Sequence, residues 1–160
     1  MEERYLSVIC EAEEELCIIM AYFSPIPSFM RAITDACRRG VRVTLVIPSH
    51  ANFQNDLNRK TVRRLLHQTK GAVTVCLSPK MLHTKLILTE KTLSFGSTNI
   101  TKKAFAQLSE LNLFLPRTDC PFVRDAEAYV RGIVEASKRV ADAREIKYRR
   151  PIAFLEGLIV

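Results

Sequence analysis

Paired cysteines, a long apolar run and a second copy of its most chemically suggestive motif are all missing from this 160-residue chain. The five cysteines (Cys10, Cys17, Cys37, Cys76, Cys120) are odd in number and show no C-x-x-C spacing. No disulfide framework and no zinc site follows from them, and a reducing, cytoplasmic setting is the expectation. Cys17 and Cys76 lie in apolar runs and read as small core residues. No stretch approaches the ~18 apolar residues of a membrane span. The start Met1-Glu2-Glu3-Arg4 leads into an acidic segment and lacks the pattern of a secretory leader. Internal repeats and low-complexity linkers are absent as well, and histidine is scarce, with only three in the chain.

What is present belongs to a folded protein. A composition of 48% hydrophobic and 26% charged residues is that of a globular chain, not a disordered one. At this length one domain buries roughly 70% of its unfolded surface. The net charge of +7 favours anionic partners: nucleic acid, phospholipid headgroups or phosphorylated small molecules. An ordinary basic surface has the same charge, so charge alone does not choose.

Apolar patterning alternates between helix and strand. Residues 3–15 read as a helix, and Leu16 to Phe23 as a buried strand ended by Ser24-Pro25. A helix from Pro27 or Ser28 to Arg39 stops at Gly40, and the strand Val41 to Ile47 follows. This order implies a right-handed parallel crossover. Asn55 or Asp56 caps a helix to about Gln68. Strands follow at 72–76, 84–89 and 92–96, the last two joined by a tight turn at Glu90-Lys91. A short helix from Thr101, a strand over 111–115 and a long helix from Pro121 to Ala143 complete the domain. The expected architecture is an α/β sandwich, one mixed β-sheet with helices on both faces. Residues 1–143 form that domain, and 144–160 are a tail, basic and then apolar. The apolar end should pack on the body, on a partner or on a part of the protein outside the sequence.

The chemistry concentrates in His83-Thr84-Lys85 and Gly96-Ser97-Thr98-Asn99. Two residues apart on a strand, His83 and Lys85 point to the same face, which sets a potential nucleophile beside a fixed positive charge. A phosphodiester centre needs a nitrogen nucleophile, a cation and neutral donors around the equatorial oxygens. Taken singly, each residue also has an ordinary role. A lone histidine at a strand start is commonly structural, Lys85 fits a solvated strand edge, and the Gly96–Asn99 turn fits a helix cap before Thr101.

The run HTKLILTEKTLSFGSTN resembles the H-x-K-x4-D-x5-G-S-x-N signature of the phospholipase D superfamily, with five of its six defining residues at matching spacing. Ala21-Tyr22-Phe23-Ser24-Pro25 and the entry Arg39-Gly40-Val41-Arg42-Val43 are similar to the second half of cardiolipin synthase-type enzymes. Ser109-Glu110-Leu111-Asn112-Leu113 is similar to the strand carrying that family's downstream glutamate. The likeness covers one repeat, roughly residues 5 to 140.

That resemblance implies a phospholipase D-like fold and a phosphodiesterase or phosphatidyltransferase that uses neither metal nor cofactor. His83 would attack phosphorus and form a phosphohistidine. Lys85, Ser97 and Asn99 would hold or line the phosphate oxygens, and Glu110 would hydrogen-bond His83 and steady its imidazolium. Gly96 and Glu90 would support the site. Glu90 is the one departure, standing where the family has Asp, with its charge kept and its reach longer by about one bond length.

Family chemistry takes two histidines of this kind, so a second repeat or a second subunit must complete the site. The alternatives are a dimeric nuclease of the same superfamily and a catalytically degenerate half that binds anionic lipid or nucleic acid. Phospholipid is the favoured phosphodiester, with peripheral membrane contact. His67 reads as solvent-facing on a basic helix. His50 ends a strand where α/β sheets bind ligands, which leaves a substrate contact open beside a surface role. Residues 48–60 and 116–121 are the expected substrate-selecting loops. The basic stretch Arg144 to Arg150 reads as either a solvated helix end or a phosphate contact.

Overall fold

The computed structural model describes residues 1–140 and 142–159. Its centre is a run of β-branched and leucine-rich segments that pair as a seven-stranded mixed sheet. Those strands are β1 (Glu15–Met20), β3 (Arg42–Pro48), β4 (Thr74–Ser78), β5 (Lys85–Thr89), β6 (Thr92–Gly96), β8 (Asn112–Pro116) and β9 (Lys138–Val140). Their order is β8-β6-β5-β1-β3-β4-β9. β1, β3 and β4 are parallel, and every other pairing is antiparallel. A second sheet of two short strands pairs β2 (Phe23–Ser24) with β7 (Ile100–Thr101) in parallel.

Side chains alternate between two cores, as the period of a strand requires. Ile18, Leu45, Val75 and Ile87 face one layer, built from α1 (Glu2–Glu11), α2 (Pro27–Arg38) and α3 (Asn55–Gln68). Phe105 of the short helix α4 (Lys102–Gln107) stacks there on Phe29, with ring centroids 5.1 Å apart. Ile19, Val46, Leu86, Leu88 and Leu93 face the opposite way, against Val123 and Val130 of α5 (Pro121–Ala136). The expected sandwich, with helices on both faces of one mixed sheet, is therefore the observed fold. Cys76 is buried and Cys17 half-buried, and burial pushes the Cys17 thiol up to about 12, which keeps it protonated in the core.

Three segments depart from the sequence expectation. The last long helix stops at Ala136, not Ala143, because Lys138–Val140 completes the free edge of β4 and sets Val140 against Val75. Ser137 marks the break: its backbone is extended, and its hydroxyl donates to the Ile133 carbonyl at 2.7 Å. The first helix ends at Glu11, where further glutamates would load negative charge onto a helix C-terminus. The expected strand 16–23 divides at Met20, and Phe23–Ser24 leaves the main sheet for β7. The tail from residue 144 folds back on the body. Its helix α6 (Arg150–Ile159) packs on α3, and Arg149 pairs with the buried Asp56 at 2.9 Å. No helix among the described residues is long and apolar enough to cross a membrane.

Candidate active site

One end of the sheet collects the residues that the motif singled out. The parallel strands β1, β3 and β4 finish there, while β5, antiparallel to β1, begins there with Lys85 opposite Met20. β6 returns to the same edge, and β8 starts from it, with Gly96 opposite Asn112. His83, Lys85, Gly96, Ser97, Asn99 and Glu110 therefore meet at one edge of the sheet, although they span 28 positions of the chain.

Lys85 has the parity of Ile87, so it leaves the sheet on the α1–α3 side, with only 4% of its surface exposed. Its ammonium donates to the His83 carbonyl at 2.7 Å. Burial pulls its pKa below that of an ordinary lysine, and the Glu110 carboxylate offsets part of that effect. A poorly hydrated cation next to the site attracts a phosphate oxygen more strongly than a solvated one. His83 is exposed, and among the described residues its imidazole has no hydrogen-bond partner. Thr84 points to the opposite face, where its hydroxyl lies 2.5 Å from that of Tyr129 on α5.

The turn after β6 is fastened to the start of β8. A Cβ on Gly96 would lie 2.2 Å from the Leu111 carbonyl oxygen and 2.7 Å from the Asn112 Cα, so only glycine permits the approach. The Ser97 N–H donates to the Leu111 carbonyl at 3.0 Å, and the Leu111 N–H donates to Ser97 Oγ at 3.1 Å. Ser97 Oγ in turn donates to Glu110. The sequence reading paired Glu110 with His83; in this structure its carboxylate holds Ser97, and its charge acts on Lys85.

Asn99 accepts the Tyr22 N–H on its Oδ1 at 3.2 Å. Because an N–H can only donate, this bond fixes the amide orientation and leaves Nδ2 as the outward donor.

Three residues outside the motif hold this arrangement in place. Asn112 accepts the Thr98 N–H on Oδ1 at 3.1 Å and donates through Nδ2 to the Tyr5 hydroxyl. Tyr5 donates to the Thr98 carbonyl at 3.4 Å, and burial pushes its pKa up to about 12, so it stays a donor. Asn58 of α3, buried, accepts the Phe23 N–H at 2.8 Å and donates to the Ala21 carbonyl at 3.0 Å. It thereby fixes the segment that orients Asn99. The signal for Asn58 was present in the sequence, since it lies four residues before Val62 on the helix's inward stripe, where a polar residue needs a buried partner.

Glu90 stands at the far end of β5, about 17 Å from Lys85 at the rise of a strand. Its carboxylate accepts the N–H groups of Glu13, Glu14 and Glu15 at 3.0, 3.2 and 3.2 Å. It thus braces the chain entering β1 and reaches the site only through that strand. Burial alone would push its pKa up, but the backbone donors outweigh burial and hold it below its ordinary value of 4.5. A carboxyl with a depressed folded pKa stabilises the fold above its unfolded value, and that contribution disappears as the pH falls through the folded one. Glu90→Gln should cost about 1–3 kcal/mol at pH 7. Urea unfolding from pH 7 to pH 3 should show the gap between the two proteins closing below 4.5. His50, past the end of β3 and about 10 Å along the edge from β5 at normal strand spacing, is exposed, with its Nδ1 3.3 Å from Ser49 Oγ. His67 lies exposed in the last turn of α3.

Comparison with known proteins agrees with this geometry. The profile of the family described as cardiolipin synthase, PLD-like domain, matches residues 5–134. Cardiolipin synthase B of Shigella flexneri is 30% identical over 149 residues, covering 89% of this chain and 34% of that protein. A probable cardiolipin synthase of Bacillus subtilis is 25% identical over 144 residues, 88% of this chain and 28% of the relative. The chain thus spans about a third of the length of these curated relatives. Among solved structures, Nuc of Salmonella typhimurium, a phospholipase D family member, superposes with a TM-score of 0.72 at 20% identity, covering 88% of this chain and 91% of that one. Phosphatidylserine synthase of Haemophilus influenzae gives 0.82 at 15% identity, over 96% of this chain and 41% of that one. These two structures share the fold. With its motif residues gathered at one sheet edge and most of its length matched by the family profile, the chain belongs to the phospholipase D-like family of the cardiolipin synthases.

Proposed function

We propose that the chain is half of a phosphodiesterase or phosphatidyltransferase site that works through a phosphohistidine on His83. The observation that carries this reading is the pairing of an exposed, unencumbered imidazole with the buried Lys85 ammonium, which leans against the carbonyl of His83 itself. In the first step an imidazole nitrogen of His83 attacks phosphorus, the phosphorus–oxygen bond to the leaving group breaks, and a general acid protonates the departing oxygen. Lys85 and Asn99 Nδ2 hold the non-bridging oxygens as charge builds on them. Water or an alcohol then displaces the histidine, giving hydrolysis or transfer respectively. Glu110, through Ser97 and its field on Lys85, keeps the turn and the cation in register.

Among the described residues no second histidine stands beside His83 as the general acid. His50 and His67 stand elsewhere, and His83 and Ser97 are exposed with Glu110 half-buried. We assign that role to the His83 of a second copy or to its counterpart in a second repeat. The match to 91% of Nuc favours the second copy, because a fold of this size stands as a separate chain there. It also keeps a nucleic-acid diester beside a phospholipid as the substrate.

The experiment is turnover of a chromogenic phosphodiester at increasing protein concentration, with the His83→Ala chain titrated in. If two copies share one site, specific activity rises with concentration, and a ninefold excess of the variant suppresses wild-type turnover by about tenfold, since most wild-type chains are then paired with a dead partner. Activity independent of concentration and untouched by the variant would place the second group within the same chain.

A further inference from the structure

The helix α6 is built inside out for an exposed helix. At 100° per residue, Phe154, Leu158, Leu155 and Ile159 fall within an arc of about 140°. They are 61%, 69%, 54% and 56% exposed, while Ala153 on the other side is fully buried. Exposed Pro151 lies in the same arc, and no charged residue does. The one acid of the helix, Glu156, is turned inward, where it accepts the Leu57 N–H of α3 at 2.6 Å. A contiguous apolar strip of this kind on a folded surface marks an interaction site.

Cations frame the strip. Arg150 opens the helix, and Lys103 of α4 donates to the Ile159 carbonyl at 3.4 Å. Lys60 and Arg64 of α3 line a depression of about 240 Å³ beside Leu57 and Gly157. Among the described residues Lys60, Arg64 and Arg150 take part in no ion pair, unlike Arg144 and Arg149. An apolar face edged by uncompensated cations matches one kind of occupant, a surface with acyl chains beneath a layer of negative headgroups.

We propose that α6 docks on an anionic phospholipid surface, its apolar strip entering the headgroup boundary while Lys60, Arg64, Lys103 and Arg150 meet the phosphates. A second copy seated on the same face would, about a two-fold axis, set this cationic rim against itself, a repulsive arrangement. The surface also lies close to the catalytic edge. α4 follows directly from the Asn99 turn through β7, and α3 carries the Asn58 that fixes residues 21–23. The docking stands apart from the His83 chemistry; only its consequence, that the phosphodiester is drawn from a lipid surface, rests on that reading.

The test is co-sedimentation of the full chain with vesicles of phosphatidylcholine alone or mixed with phosphatidylglycerol. The wild type should bind the anionic vesicles, lose them as salt rises, and leave phosphatidylcholine alone. Leu155→Glu with Leu158→Glu, both at solvent-facing positions, should weaken anionic-vesicle binding about a hundredfold with an unchanged melting curve. Lys60→Glu with Arg64→Glu, which leaves α6 intact, should weaken it as well. The proposal is overturned if the wild type ignores anionic vesicles or if both pairs of variants bind them as the wild type does. It is equally overturned if the α6 variant turns a lipid-free dimer into a monomer, since the occupant is then a second copy. Failure to turn over a soluble diester would count against the catalytic reading and leave vesicle binding standing.

Discussion

His83→Ala should slow turnover of a soluble phosphodiester by at least ~10³-fold while leaving the melting temperature where it was. Both halves of that result follow from the position of the side chain. The imidazole is exposed and, among the described residues, unbonded, so its removal leaves no buried group orphaned and opens no cavity. Lys85 keeps its contact with the His83 backbone carbonyl, which any residue at 83 provides. On the proposed reading, what disappears is the nucleophile and, in the partner copy's reaction, the general acid. One substitution thus removes two functions in a shared site, and the two losses do not add as independent steps. Steady-state kinetics beside a thermal melt checks both halves, and undiminished turnover would remove His83 from the reaction.

Gly96→Ala should act the opposite way, through the fold. The added methyl would sit 2.2 Å from a backbone carbonyl oxygen and 2.6 Å from Asn112 Oδ1, and the first of these cannot swing aside. β6 and β8 must separate at their last pair, and with it go the bonds that tie Ser97 to residues 110 and 111 and Thr98 to Asn112. The expected loss is about 3 kcal/mol. Amide exchange at Ser97 and Thr98 should accelerate while β1, β3 and β4 stay protected. A variant as stable as the wild type, with slow exchange at those amides, would show that the turn is not held by the close approach.

Much of this was open to sequence reasoning because the relevant forces are local. Val41 to Ile47 is an apolar run between Gly40 and Pro48, and it forms β3 within a residue of that span. The motif residues His83, Lys85, Gly96, Ser97 and Asn99 were legible through the family resemblance, whose spacing is read along the chain; strand parity did not pair His83 with Lys85, because β5 begins only at Lys85. Apart from the end of the first helix, the misread segments are those where a distant partner decides. Lys138–Val140 continues a good helical pattern and becomes a strand only because β4 offers a free edge. Phe23–Ser24 and Ile100–Thr101 are too short to show a period, and their pairing goes with the distant Asn58 of α3, which accepts the Phe23 N–H. The role of Glu90 was hidden for a related reason. Its partners are backbone N–H groups 75 or more residues away, and backbone donors carry no sequence signature. Tyr5 looked like one more apolar residue on a helix, yet its hydroxyl joins Asn112 to the Thr98 turn.

The central claim is the covalent step at His83, and trapping it is the most direct test. The chain would be mixed with a radiolabelled phosphodiester, quenched in alkaline denaturant to spare an acid-labile phosphoramidate, digested, and read by mass spectrometry. The account predicts a phosphoryl adduct on the peptide that contains His83, lost on acid treatment and absent from His83→Asn. Turnover with no adduct, or an adduct on His50 or His67, would contradict it.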